Sequence, residues 1–199
     1  AEMIADRWDL SRAMLDEIAA ESQQRAARAT KDGLFDAEIT AVDLSEGPVH
    51  HDQGIRPDTT ATSLAGLRPA FREDGVVTAG NSSQISDGAA AVLVTTSARA
   101  RELGLTPMAR LHSFAMAGVD PVIMLTGPIP ATNKVLAKAG LDLADIGTFE
   151  VNEAFAAVLG AWLADTGADR EVTNPQGGAI ALGHPLGASG ARLMTTLVH

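Results

Sequence analysis

From Asn174 to His199 the sequence carries one formal charge, Arg192, and five of the chain's 19 glycines fall between Gly177 and Gly190. The stretch reads Gly177-Gly178-Ala179-Ile180-Ala181-Leu182-Gly183-His184-Pro185-Leu186-Gly187-Ala188-Ser189-Gly190-Ala191-Arg192. Glycine lets a backbone approach another backbone or a ligand closely and adopts positive φ without strain. The pattern therefore predicts a tightly packed loop. The segment Gly187 to Gly190 then leads into an apolar run, so the loop ends at a helix N-terminus, whose partial positive charge favours an anion. His184, between Gly183 and Pro185, sits on a restricted turn where an imidazole acts as base, acid or donor near neutral pH. The competing reading is a packed histidine in a tight turn, and the glycine density favours the functional one. Two nucleotide patterns fail: the spacing is not G-x-G-x-x-G, and no Gly-Lys-Ser/Thr follows for a P-loop.

A second group is Glu150-Val151-Asn152-Glu153-Ala154-Phe155-Ala156. Here the pattern predicts a strand ending at Val151 and a helix starting near Asn152. Polar groups at the carboxyl end of a strand in an open α/β sheet are favoured ligand contacts. An Asn amide holds a water or donates to a developing oxyanion without titrating. Simple helix capping by Asn152 and Glu153 is the alternative. A third group, Thr78-Ala79-Gly80-Asn81-Ser82-Ser83-Gln84-Ile85-Ser86-Asp87-Gly88, offers small and hydroxyl residues that suit a narrow ligand arm or an ordinary tight loop.

Around these groups, Leu15, Ile18, Ala19, Ser22, Ala26 and Ala29 recur at helical spacing over residues 11–30, with Ser11 as N-cap and Gly33 past the end. Ile39 to Leu44 reads as a short strand. Residues 1–75 form a loop-rich segment laid on another body, and 76–199 a layered α/β domain. Its candidate strands are Val76–Thr78, Ala89–Thr95, Ala109–Ala117 and Phe149–Val151. Its helices are Ser97–Leu103, Ala131–Ala139 and Ala154–Ala164. His112 reads as structural. His50, His51 and Asp52 read as surface loop rather than metal site, because adjacent side chains diverge and no further ligand has suitable spacing.

With 15 basic and 25 acidic side chains the net charge is −10, which argues against nonspecific nucleic-acid or anionic-membrane binding. No apolar run reaches the roughly 20 residues that span a bilayer. No basic leader precedes Met3, which points to a cytoplasmic chain. There is no cysteine, so this chain supplies no thiol nucleophile and no thiolate ligand. The start at Ala1 and the stop inside an apolar helical pattern read as cut ends.

The three groups, in this order, resemble the C-terminal half of a thiolase. The N-E-A-F-A signature of that family stands at Asn152–Ala156, its G-G-A-x-A-x-G-H-P-x-G-x-S-G signature at Gly177–Gly190, and its T-A-G-N-x-S stretch at Thr78–Ser83. The resemblance implies an αβαβα layered fold, of which this chain supplies the second half and the end of a CoA-binding loop domain. It implies the acyltransferase chemistry of fatty-acid β-oxidation: a 3-ketoacyl-CoA is cleaved by CoA through an acyl-cysteine. CoA and acyl-CoA are substrates, with no tightly bound cofactor and no metal. Both family cysteines would lie outside this chain.

By the same resemblance His184 activates the nucleophilic thiol, and Asn152 fixes a water that completes an oxyanion hole. Arg56, Ser63, Phe71, Ala79, Ser83 and Phe155 match CoA-contacting or acyl-end positions, with Arg68 and Arg72 adding positive charge near the nucleotide. Expected partners are CoA thioesters, the rest of the same protein, and further copies in a homo-oligomer. Ketoacyl synthases share a G-H-x-x-G loop but would not carry Asn152-Glu153-Ala154-Phe155. The remaining alternative is a thiolase-derived CoA-binding or structural subunit without catalysis.

Overall fold

A computed structural model describes all 199 residues. Its centre is helix α2 (Arg12–Lys31), which Ser11 caps by accepting from the Met14 amide at 3.3 Å. Gly33, at φ +71°, turns the chain away in a left-handed conformation that other residues adopt only with strain. Leu15, Ala19, Ser22, Ala26 and Ala29 form the buried stripe that the periodicity predicts.

Helix α2 packs against α3 (Ala61–Ala65), α6 (Ala156–Thr166) and the short α7 (Ala179–Leu182), while α1 (Glu2–Arg7) packs against α6. Ile4, Leu15, Ala19, Ala156, Ala157 and Ile180 make the main core. Helix α6 is buried continuously from Ala156 to Trp162, as its all-round apolar sequence requires. Its far side joins α5 (Pro128–Ala139) through Ile129, Leu159 and Trp162. Phe149 meets Trp162 edge-on at 5.3 Å, and the Trp162 indole N–H donates to Thr132 Oγ1 at 2.9 Å.

The sheet expectations divide. Strands β1 (Val42–Leu44) and β2 (Gly47–Val49) pair antiparallel, within the predicted Ile39–Leu44 region and just beyond it. Val76–Thr78 and Phe149–Val151 each make one isolated bridge, Thr78 to Pro69 and Phe149 to Thr173. Ala89–Thr95 and Ala109–Ala117 form no ladder at all, and neither segment makes a backbone–backbone hydrogen bond. A β-strand exists only beside a neighbour that satisfies its N–H and C=O groups, and these segments have none among the 199 residues. Their apolar side chains stand in the open: Leu93 is 80% exposed, Phe114 75% and Met116 84%. Lys134 and Lys138 reach over to the Met116 and Phe114 carbonyls. The short helices α3 (Ala61–Ala65) and α4 (Ser97–Glu102) complete this body, and α8 (Ser189–Val198) follows the glycine-rich loop as expected.

Candidate active site

The residues Phe149–Glu153 run beside Thr173–Asn174, and extended backbone sends alternate side chains to opposite faces. Phe149 and Val151 point into the Trp162 cluster, which leaves Glu150 and Asn152 on the other face, toward the glycine-rich loop. Asn174 fixes the segment. At φ +47° its amide accepts from Val151 N at 2.7 Å and donates to Val151 O at 2.8 Å, standing in for a neighbouring strand. Buried Arg25 of α2 holds the Thr173 carbonyl at 2.9 Å.

Helix α6 starts at Ala156, with no side-chain cap. Capping by Asn152 or Glu153 is therefore not what those side chains do. Asn152 Nδ2 lies 3.2 Å from His184 Nε2. Glu153 is fully buried and is held by three donors: Ser22 Oγ at 2.6 Å, Asn174 Nδ2 at 2.9 Å and the Ile180 amide at 3.3 Å. Ser22 in turn accepts from Gly178 N at 3.0 Å. One carboxylate thus ties α2, the Asn152 segment and the glycine-rich loop together. Charge-assisted bonds of this kind are the strong ones.

His184 is placed by its surroundings on both sides. Its amide donates to the Gln84 carbonyl at 3.0 Å, and Gln84 Nε2 donates to Gly54 O at 2.8 Å and Ile180 O at 3.1 Å. Its Nδ1 lies 2.6 Å from Ser189 Oγ, which donates to Pro185 O at 3.1 Å. With the hydroxyl proton given to that carbonyl, Ser189 Oγ accepts from Nδ1–H. The neutral imidazole then keeps its lone pair on Nε2, where the Asn152 amide donates. This pattern sets one tautomer and one basic atom. The other amide atom, Asn152 Oδ1, is buried with no partner, a free acceptor beside the imidazole.

Of the other positions singled out in the sequence, Arg56 and Ala79 line one cavity of about 20 Å³ with Gln23 and Gln84. The Arg56 amide is fixed by Gln23 Oε1 at 2.7 Å, while its guanidinium end is exposed. Phe71 is exposed and meets half-buried Phe155 edge-on at 6.0 Å, and Ser83 N bonds Ala154 O at 3.0 Å. The Ser63 hydroxyl is engaged in the α3 capping box, donating to Thr60 O at 2.8 Å. Arg72 departs from expectation. Its guanidinium makes a bidentate pair with Asp6, at 2.8 and 2.7 Å, so it is committed to α1 rather than offered to an anion. The sequence pattern gives Ser22, Gln84, Asn174 and Ser189 no functional role of their own. Ser22 is marked only as part of the α2 stripe, Gln84 and Ser189 only as members of the third group and the glycine motif, and Asn174 not at all.

Glu150 carries the strongest electrostatic perturbation near the site. Burial pushes its carboxyl from 4.5 up to about 7, with Glu153 and Glu38 adding to the rise and Arg192 opposing it. Arg192 Nη1 stands 3.6 Å away, too far for a direct hydrogen bond. The folded state therefore holds the Glu150 proton more tightly than the unfolded chain does. Stability falls as pH climbs through the window from 4.5 to about 7 and levels off above it. Glu150→Gln should flatten that part of the profile, leaving the variant more stable than wild type at pH 8. Melting curves from pH 4.5 to 8 test this, and an unchanged slope contradicts it.

Family models for the thiolase N-terminal domain and the thiolase C-terminal domain match residues 1–98 and 105–199. The chain belongs to the thiolase family. It is 50% identical to an acetyl-CoA acetyltransferase of Paracoccus denitrificans over 202 residues, covering all of this chain and 52% of that protein. It superposes on the dimeric peroxisomal thiolase of Saccharomyces cerevisiae with a TM-score of 0.96 at 46% identity, covering 99% of this chain and 51% of that one. Against human mitochondrial 3-ketoacyl-CoA thiolase in complex with CoA the TM-score is 0.94 at 39% identity, with 100% and 50% covered. The fold is thus the α/β fold of thiolases, and the chain spans about half the length of the relatives it matches. No helix is long and apolar enough to cross a membrane.

Proposed function

We propose that the full-length polypeptide containing this chain is a thiolase that cleaves a 3-ketoacyl-CoA with CoA, giving acetyl-CoA and a shortened acyl-CoA. The carrying observation is the contact of His184 Nε2 with the Asn152 amide, on an imidazole whose Nδ1 is held by Ser189. In this reading a cysteine from the rest of the polypeptide loses its proton to His184 Nε2, and the thiolate attacks the keto carbon. The bond between that carbon and the α-carbon then breaks, leaving an acyl-cysteine and the enolate of acetyl-CoA. His184 and a water on Asn152 Oδ1 stabilise the enolate oxygen, and a second cysteine from the rest of the polypeptide gives the enolate its proton at carbon. The second thiolate then takes the proton of a CoA thiol, whose sulfur displaces the shortened acyl group, and the released cysteine recovers its proton from His184.

CoA is substrate here, not resident cofactor. Arg56 and Ala79 support the reading by lining a cavity with Gln84, whose carbonyl accepts from the His184 amide, and Ser83 by its bond to Ala154 next to Phe155, which meets Phe71 edge-on. Ser63 is assigned a CoA contact by family position alone. The proposal assigns residues 1–75 to the end of a CoA-binding loop domain and 76–199 to the domain carrying His184 and Asn152. A homo-oligomer is supported by the dimeric yeast relative.

The test is a thiolysis assay with acetoacetyl-CoA and CoA, run on the full-length polypeptide and on the 199 residues alone. The full-length protein is expected to turn over and to trap an acetylated cysteine detectable by mass. The 199 residues are expected to be inert because they hold no thiol. Turnover by the isolated chain, or none by the full-length protein, defeats the assignment.

A further inference from the structure

Asn152 and His184 come from two segments far apart in sequence, and the 3.2 Å between their nitrogens depends on how those segments are held. One hydrogen bond is a soft constraint on two half-buried side chains. A second link joins the same two segments. Glu150 lies two residues before Asn152 and shares its face, and its side chain is 4% exposed. Arg192 lies three residues after Ser189 on α8, so the two share one face of that helix. Thr196, four residues further along, continues the face and reaches Glu38 Oε1 at 3.4 Å.

The result is two parallel rungs between one extended segment and one loop–helix unit. The first is Asn152–His184–Ser189, and the second is Glu150–Arg192. Arg192 is also the sole formal charge from Asn174 to His199. A guanidinium among apolar neighbours is retained where an anion fixes it, since burying it alone is costly. Glu150 Oε2, Arg192 Nη1 and Arg192 Nη2 have no hydrogen-bond partner within the chain, and although Arg192 also attracts Glu38 and Asp52, Glu150 is the anion that stands within ion-pair distance of it. Their 3.6 Å separation suits a bridging water as well as direct Coulomb attraction.

We infer that Glu150 and Arg192 are a positioning pair that sets the Asn152–His184 spacing in the active site. Neither is a catalytic residue, because neither touches the reacting atoms. Their effect runs through Asn152 on one side and through Ser189 and His184 on the other. The inference deepens the thiolase reading and rests on it for its kinetic consequence, while the geometric consequence stands by itself.

The experiment uses the full-length polypeptide at pH 8, comparing wild type, Glu150→Gln, Arg192→Met and the double variant. Displacing catalytic groups by a fraction of an ångström costs about tenfold to a hundredfold in rate. Each single variant is therefore expected to lose about that much kcat, with KM for acetoacetyl-CoA unchanged within about twofold. The double variant should be no worse than the worse single one, because the partners act as one unit. The ¹⁵N resonance of His184 Nε2 should also move in Glu150→Gln, reporting a weakened Asn152 donation. Unchanged kcat, additive losses, or a loss of kcat matched by melting temperature with Nε2 unmoved overturns the pair. Should Arg192→Met not fold, the nearly isosteric Glu150→Gln decides alone through kcat and Nε2. Wild type without thiolysis defeats the proposed function, and the Nε2 shift still decides the positioning pair.

Discussion

Gly178→Ala is expected to cost the fold about 3–5 kcal/mol, combining overpacking with a buried carboxylate that loses its donors. Backbone conformation is not the reason. Gly178 has φ −146° and ψ −160°, extended values open to any residue. The reason is space. An added Cβ would come 2.3 Å from Glu153 Cδ and 2.5 and 2.7 Å from its two oxygens. The carboxylate cannot retreat, because Ser22, Asn174 and the Ile180 amide fix it from three directions and it is fully buried. For a chain of this length each kcal/mol lowers Tm by about 2–4 °C, so a drop of roughly 10 °C is expected. The decisive comparison is the double variant Gly178→Ala/Glu153→Ala. Removing the carboxylate removes the clash, so the double variant should be more stable than the sum of the two single losses predicts. Strict additivity in thermal melts would show that the clash is not with Glu153.

The same network shows which parts of this molecule the sequence could express. Helix α2 was legible because its determinants are local: Ser11 caps it, Leu15 to Ala29 repeat at 3.6 residues, and Gly33 supplies the left-handed turn. His184 and Asn152 were legible because each sits in a stretch whose glycine density or polar placement marks it. Glu153 was visible only as a residue suited to a helix start. Its actual partners lie 131 residues away at Ser22 and 21 residues away at Asn174, and no local pattern announces such bonds. Asn174 was hidden for a related reason. An asparagine before a proline reads as turn punctuation, whereas its side chain replaces a strand.

The candidate strands Ala89–Thr95 and Ala109–Ala117 fail differently. Their apolar content shows which side chains seek cover, but a ladder needs a second strand in reach. The 199 residues leave those backbones unpaired and Leu93, Phe114 and Met116 exposed. A chain spanning half the length of its relatives keeps the pattern of a sheet without closing one here.

His184→Asn in the full-length polypeptide is expected to lower kcat for thiolysis by about 10²–10⁴, the range for loss of a positioned general base. The substitution is chosen to separate chemistry from packing. Asparagine retains polarity and approximate reach, and its side chain can still meet Asn152 or Ser189. It has no lone pair able to take a thiol proton near neutral pH. His184 is half-buried, and its backbone amide, the group tied to Gln84, is untouched by the change. Stability should therefore move by less than about 1 kcal/mol, in contrast to Gly178→Ala. KM for acetoacetyl-CoA should change little, because the imidazole acts on developing charge rather than on the CoA tail. The acylation burst is the most specific readout. With the base gone, cysteine acylation itself should slow, so the burst of acyl-enzyme disappears along with steady-state turnover. A variant that acylates at the wild-type rate and stalls only afterwards would remove His184 from thiol activation and confine it to the enolate side of the reaction.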